Sequence, residues 1–377
     1  MADEPAPDWR LLAPHRPLSP GDDAYVARPT GGGDAIATWV NAGGSTILVS
    51  GPTGVGKSTE LAHAAQALQA TRVACLVQVD RMANMHRLDA DALMRHVAAR
   101  LVTFVRDEVG LSLSRKLAFA ATGTPSSLDI LLGTKLGSQE RVQASGLSLA
   151  LAALAEIERV SSQERIALLI DGLEKLLPGP GTREIFDALA QLPESVDLIV
   201  VIPWHAAFGG GTESILRAGE RLHRVAALDT MGEQGNIAAE FFIRVLARRL
   251  RVVDRLPVSM TPLLEIAFMA SGGIPRIFLQ LMADAGTYAR AKRGAGWPVR
   301  DDLSEAIADQ EASFRRALLP GDTQAIMAVQ HTDGRELDLE RRVRLLAQGI
   351  LLERTWNGRV SLEIHPLVTH AVLNPRS

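Results

Sequence analysis

Ser45-Thr46-Ile47-Leu48-Val49-Ser50 runs directly into Gly51-Pro52-Thr53-Gly54-Val55-Gly56-Lys57-Ser58-Thr59. The first six residues are apolar and rich in β-formers, suited to a strand buried on both faces. The next eight fit G-x-x-x-x-G-K-[ST], and a helical stretch follows from Lys57 to about Ala70. Glycines 51, 54 and 56 let the backbone turn so that its amides gather around an anion, and the positive end of the following helix faces the same charge. Lys57 is expected to reach the β- and γ-phosphates of a nucleoside triphosphate and Ser58 to ligate Mg²⁺. Pro52, Thr53 and Val55 complete the loop, and Thr59 is a further phosphate contact.

Outward from this loop, Val73–Val79, Ile166–Ile170 and Val196–Ile202 read as buried strands, and Arg224–Leu228 as a fifth. Helical stretches at Ala35–Asn41, Asp89–Glu108, Leu149–Val160 and Glu213–Arg221 alternate with them. That alternation predicts an α/β fold, a P-loop NTPase parallel sheet with helices on both faces. After Thr230 the strands stop. Asn236–Leu250 and Met260–Ala270 are helical, Ser271-Gly272-Gly273 breaks the chain, and a helix runs from Pro275 to Arg290. Gly294, Gly296 and Pro298 mark a linker. Helices near Asp301–Leu318, Thr323–Gln330 and Leu337–Gln348 then lead to strands Leu351–Thr355 and Val360–Ile364, joined at the hairpin dipeptide Asn357-Gly358. The layout is a flexible proline-rich lead (1–24), a P-loop ATPase domain (25–230) with a partly mobile insertion (109–144), a helical lid domain (231–300) and a C-terminal winged helix (301–377).

The 377 residues are 47% hydrophobic and 22% charged, which excludes a disordered chain. No apolar run approaches the ~18–20 residues of a membrane crossing, so no membrane partner is expected. A net charge of −3 advertises no nucleic-acid or membrane surface. Cys75 is the only cysteine, which excludes an internal disulfide and fits a reducing compartment. Met1–Pro20 is acidic and proline-rich and is not a secretory signal, so the expected location is the cytoplasm.

The strand Ile166–Ile170 ends in Asp171-Gly172-Leu173-Glu174. A carboxylate at a buried strand's tip can hold the Mg²⁺ hydration shell, which is assigned to Asp171. Glu174, three residues on, suits a general base or water positioner, although an acid here also fits a helix start.

With these residues in place, the chain resembles the STAND and AAA+ ATPases. Tyr25-Val26-Ala27-Arg28 is similar to the motif that precedes the P-loop in those proteins and lies near the adenine. Asp171-Gly172-Leu173-Glu174 resembles the Walker B variant of the NACHT branch. Gly272-Gly273-Ile274-Pro275-Arg276 resembles the Gly-x-Pro motif of STAND lids joined to the sensor-2 arginine of origin-recognition-type AAA+ proteins. The resemblance spans roughly residues 24–370. It implies that Pro275 packs on the base, that Arg276 reaches the γ-phosphate from the lid, and that ATP is hydrolysed slowly and under regulation. A sensor after the fourth strand falls on Pro203-Trp204-His205, where His205 is the polar candidate. A trans-acting arginine finger is expected before the fifth strand; Arg217, Arg221 and Arg224 qualify by position, with Arg221 preferred.

The leading reading is an ATP-binding and hydrolysing STAND/AAA+-type switch that binds ATP or ADP with Mg²⁺ and forms a nucleotide-dependent homo-oligomer. On that reading the ATPase, lid and wing use the chain up, so sensor or effector comes from a partner protein. The alternative is a DNA-associated AAA+ ATPase of origin-recognition or transposon-loader type, with the winged helix on duplex DNA. Arg341, Arg342 and Arg344 could meet phosphates, but Glu336, Asp338 and Glu340 beside them would repel DNA, and the resemblance favours packing on the ATPase module. A GTPase would carry an Asn/Thr-Lys-x-Asp string; Thr134-Lys135-Leu136-Gly137 lacks the aspartate. A non-catalytic binding module would require an inert Glu174.

Overall fold

The computed structural model describes residues 7–12, 18, 21–123, 144–161, 165–208, 221–252, 256–294, 296–332, 336–356 and 359–373. The chain forms two compact units. One comprises Gly33–Ser50 and Glu60–His223; the other comprises Met1–Gly32, Gly51–Thr59 and Arg224–Ser377.

The first unit is built on a five-stranded sheet: β1 (Thr46–Ser50), β2 (Val73–Gln78), β3 (Ile166–Asp171), β4 (Val196–Val201) and β5 (Arg221–Arg224), in the order β2-β3-β4-β1-β5. Parallel pairing fixes the register, with Gln78 opposite Asp171, Ile170 opposite Val200 and Val49 opposite Val201. The carboxyl ends of β1, β3 and β4 therefore share one edge, where open parallel sheets carry their ligands. β1, β3 and β4 are buried along their full length, as their unbroken apolar runs require, and Cys75 lies wholly buried in β2.

Helix α1 (Gly33–Asn41) precedes β1, and α2 (Lys57–Leu68), α3 (Ala90–Phe104), α4 (Arg115–Thr122), α5 (Gly146–Val160), α6 (Pro180–Ala190) and α7 (Trp204–Phe208) occur between the strands. Asp89 caps α3 by accepting the Ala92 amide, and Ser145 caps α5 through Ser148. A buried ion-pair centre lies in this unit. Asp197, near the start of β4, is 1% exposed and accepts Arg72 Nε and Arg165 Nη2, each at 2.6 Å.

Two expectations need correction here. The fifth strand runs Arg221–Arg224, not Arg224–Leu228. The insertion expected from residue 109 is ordered structure as far as residue 123. A π turn (Val105–Val109) extends α3 and ends at Gly110; Leu111, Leu113 and Leu117 then pack on the core, and Ser114 is held by Glu156 of α5. Its serines and glycines punctuate a packed segment instead of loosening it. Residues 124–143 lie outside the described residues, as does the Thr134–Gly137 string, and so do 209–220, with the expected helix up to residue 220 and Arg217.

The second unit is helical: α8 (Gly232–Arg249), α9 (Thr261–Ala270), α10 (Pro275–Arg293), α11 (Arg300–Ala317), α12 (Asp322–Thr332), α13 (Leu339–Ala347) and α14 (Pro366–Leu373), with the antiparallel pair β6 (Leu351–Trp356) and β7 (Arg359–Ile364). The turn dipeptide between these strands, Asn357-Gly358, lies outside the described residues. Phe242, Phe268 and Phe278 form the aromatic centre of its core. The expected flexible lead is corrected in part, because Trp9–Leu12 forms a 3-10 turn that buries Trp9 and Leu12 in this core. Trp9 lies against Gly286 of α10, where a Cβ would come within 2.1 Å of the indole, and meets Trp297 edge-on at 5.6 Å.

Candidate phosphate-binding site

The phosphate loop lies in the second unit. Gly54 and Gly56 sit at φ +91° and +104°, the left-handed conformations that L side chains rarely adopt. At Gly51 the reason for glycine is contact, since a Cβ would stand 2.2 Å from the Val225 carbonyl oxygen. Val55 is buried at the loop's centre. Lys57 is buried too, and its Nζ donates to the carbonyls of Gly51 (2.8 Å) and Pro52 (3.0 Å), which holds the ammonium inside the curve of the loop. Ser58 and Thr59 follow at the start of α2, half-buried.

Arg28 braces this loop from outside. Its guanidinium donates to Val55 O at 2.8 Å, to Ala226 O, and to Thr30 O at 3.0 Å. Val26 is buried in the unit's core, and the Tyr25 carbonyl accepts Arg248 of α8 at 2.7 Å. The Tyr25–Arg28 motif thus ties the loop to the helical core.

Pro275 stands at the first turn of α10, where its missing amide costs no hydrogen bond. The Arg276 amide donates to Gly54 O at 3.2 Å, and a Cβ on Gly54 would lie 2.7 Å from Arg276 Cβ. The exposed guanidinium of Arg276 thus starts from a backbone bonded to the loop. Gly272 and Gly273, at φ +59° and +77°, form the turn before α10, and a Cβ on Gly273 would come within 1.8 Å of Leu228 O.

Sequence reading missed what lies on the far side of that turn. Arg354 of β6, 8% exposed, donates to Leu228 O and to Gly272 O (2.9 Å). His365, fully buried after β7, donates from Nε2 to Ser271 O at 3.1 Å while its Nδ1 accepts the Leu367 amide at 3.2 Å. Burial pushes the His365 imidazole down to about 3, so the ring is neutral. Thr53 Oγ1 donates to Ala347 O, the last residue of α13, at 3.1 Å. Apart from the local Leu367 bond, these partners lie 82 to 294 residues apart in sequence, and no spacing rule connects them.

The acidic turn belongs to the sheet unit and sits at the carboxyl end of β3. Asp171 is buried, and Gly172 (φ +100°) turns the chain into a 3-10 turn, Leu173–Lys175. Glu174 is half-buried, and its Oε2 is shielded from solvent without a hydrogen-bond partner among the described residues. Such an atom fits an acceptor that takes water or a metal-bound ligand. His205, in the first turn of α7, has a shielded Nε2 likewise lacking a partner there, and burial lowers its pKa. Arg221 opens β5, with its guanidinium 5.2 Å from the Trp39 ring. Arg224, in the other unit, pairs with buried Glu353 at 3.1 Å.

A glycine-turned loop enclosing a buried lysine, following directly on β1 of a parallel sheet, defines a P-loop nucleotide-binding fold. Residues 35–202 match the AAA ATPase domain family, which makes the fold that of an AAA+ P-loop ATPase. Among solved structures, the Walker-type ATPase PABY2304 of Pyrococcus abyssi matches at 14% identity and a TM-score of 0.56, over 96% of this chain and 99% of that one. The Aeropyrum pernix ORC1 protein, solved in complex with DNA, matches at 16% identity and a TM-score of 0.47, over 98% of this chain and 97% of that one. Cdc6p of Pyrobaculum aerophilum matches at 12% and 0.48 with the same coverage. No curated protein matches this chain. No helix among the described residues is long and apolar enough to cross a membrane.

Proposed function

We propose that the protein is a cytoplasmic STAND/AAA+-type switch that binds ATP with Mg²⁺ and hydrolyses it slowly, working as a homo-oligomer with a partner protein that supplies sensor or effector. The working parts are an ATPase domain (25–230), a lid (231–300) and a winged helix (301–377). Lys57 and the amides of Gly51–Thr59 hold the phosphates. Ser58 and Asp171 hold Mg²⁺, which when bound neutralises charge on the phosphates. Glu174 takes the proton of the attacking water or orients it. Pro275 packs on the base, Arg276 reports the γ-phosphate from the lid, and Arg221 acts on a neighbouring copy.

The observation that carries this reading is the turn at Ser271–Gly273. Its carbonyls are taken by Arg354 and His365 of the C-terminal hairpin, while the residues just after it contact Gly54. A loop that shifts with nucleotide would move Arg276, the two glycines and the hairpin together.

A separate set of contacts, on α13, weighs against the DNA-loader alternative. Arg344 lies 2.6 Å and Arg341 3.5 Å from Asp322, which is fully buried. Burial alone would raise that carboxyl; Arg344, the Leu319 amide and Arg341 outweigh it and hold it below the ordinary range. Two of the three arginines of α13 thus serve an internal ion pair.

ATP binding and turnover of Lys57→Ala and Glu174→Gln test the proposal. Lys57→Ala should lose binding, and Glu174→Gln should bind ATP yet turn over at least ~100-fold more slowly. Wild-type turnover in Glu174→Gln would remove the assigned chemistry. Salt-sensitive duplex binding that stimulates turnover would favour the DNA reading.

A further inference from the structure

The acidic turn has a second anchor. Gly172 is pressed against the helical turn Val79–Met82 that follows β2: a Cβ there would stand 2.8 Å from Asp80 N and 3.1 Å from Asp80 Oδ1. The register of β2 on β3 puts Gln78 opposite Asp171, so the two chains leave the sheet side by side. Across that contact Lys175 Nζ reaches Asp80 Oδ2 at 2.5 Å.

The turn needs such an anchor. Of its backbone hydrogen bonds, Leu176 N to Leu173 O is 3.0 Å, but Lys175 N to Gly172 O is stretched to 3.5 Å. Leu173, wholly buried, fixes one side of Glu174. The ion pair fixes the other. It also occupies an ammonium that stands next to Glu174 in the chain; released, Lys175 would be drawn to the Glu174 carboxylate and would neutralise it. The pair itself is open to solvent, with Lys175 52% and Asp80 25% exposed, and solvent-screened pairs of this kind add little to stability. Stability is a poor reason for a lysine here in a chain with five lysines in all.

We propose that Asp80 and Lys175 are positioning residues for hydrolysis: their ion pair sets the turn that presents Glu174 and keeps the lysine off its carboxylate. This rests on the reading of Glu174 as the hydrolytic residue.

The test is steady-state ATP turnover, ATP affinity and thermal midpoint for Asp80→Asn, Lys175→Met, the double variant, Lys175→Arg and Glu174→Gln in the full chain. Expected is a fall in kcat of roughly tenfold or more for each single variant, with KM and midpoint nearly unmoved. The double variant should be no worse than the singles, because both remove one interaction. Lys175→Arg, which keeps the cation, should regain most of the turnover lost in Lys175→Met. Wild-type kcat in both singles while Glu174→Gln is inactive would overturn the proposal and leave the ATPase reading standing. Loss of kcat together with midpoint and affinity would overturn it as well, marking the pair as fold support. Full turnover in Glu174→Gln would remove the underlying assignment and the proposal with it.

Discussion

His365 shows how a single side chain fixes its own charge state. The Leu367 amide points a proton at Nδ1, so the ring must carry its hydrogen on Nε2, facing Ser271 O. A second proton, on Nδ1, would face that amide inside a fully buried site. The folded value of about 3 lies below the ordinary 6.5, so the unfolded chain binds the proton first on acidification. The contribution is whole above pH 6.5 and is lost progressively down to about 3, at up to ~1.4 kcal/mol per pH unit. Denaturant midpoints measured across that window should fall less steeply for His365→Gln than for the wild-type chain. Residue identities at the phosphate loop were legible in the sequence because strand, glycines, lysine and helix are contiguous. His365 and Arg354 were not, because what each does is set by carbonyls of a turn far away in the chain.

At the scale of elements, legibility followed length and periodicity. The long apolar strands and the two strands of the C-terminal hairpin are readable, and Asp171 follows from the end of β3. A four-residue 3-10 turn has no periodicity to read, so by sequence Trp9–Leu12 falls within the flexible proline-rich lead. Its burial nonetheless joins the start of the chain to α10 and to Trp297. Trp9→Ala should cost ~3–5 kcal/mol of stability in the helical unit, the usual penalty for emptying a buried indole site, read as a lowered thermal midpoint. The segment before residue 123 was misread for the opposite reason. Interrupting serines, threonines and glycines such as Thr122-Gly123-Thr124 suggest a partly mobile insertion, yet Leu111, Leu113 and Leu117 carry its first part onto the sheet unit's core.

At the scale of the whole molecule, the proposed switch should change its state of association. Sedimentation of Glu174→Gln with ATP should give a larger species than with ADP, whereas Lys57→Ala should give one size throughout. Equal sizes for every protein and nucleotide would remove the switch. The fold class was readable from strand and helix order. The way the phosphate loop falls with the C-terminal residues, and not with the sheet, was not. That grouping arises from contacts such as Thr53 with Ala347 and Gly54 with Arg276, which sequence order conceals.

The lone thiol has a practical corollary. Cys75 lies wholly inside β2, where burial pushes its thiol up to about 12, and thiolate is the form that reacts. In the folded chain it is both out of reach and in the wrong protonation state for an alkylating reagent. With no other cysteine to compete, each labelled molecule records one excursion in which the sheet came apart. The chain carries its own clock for opening of that unit, readable by mass without adding a probe.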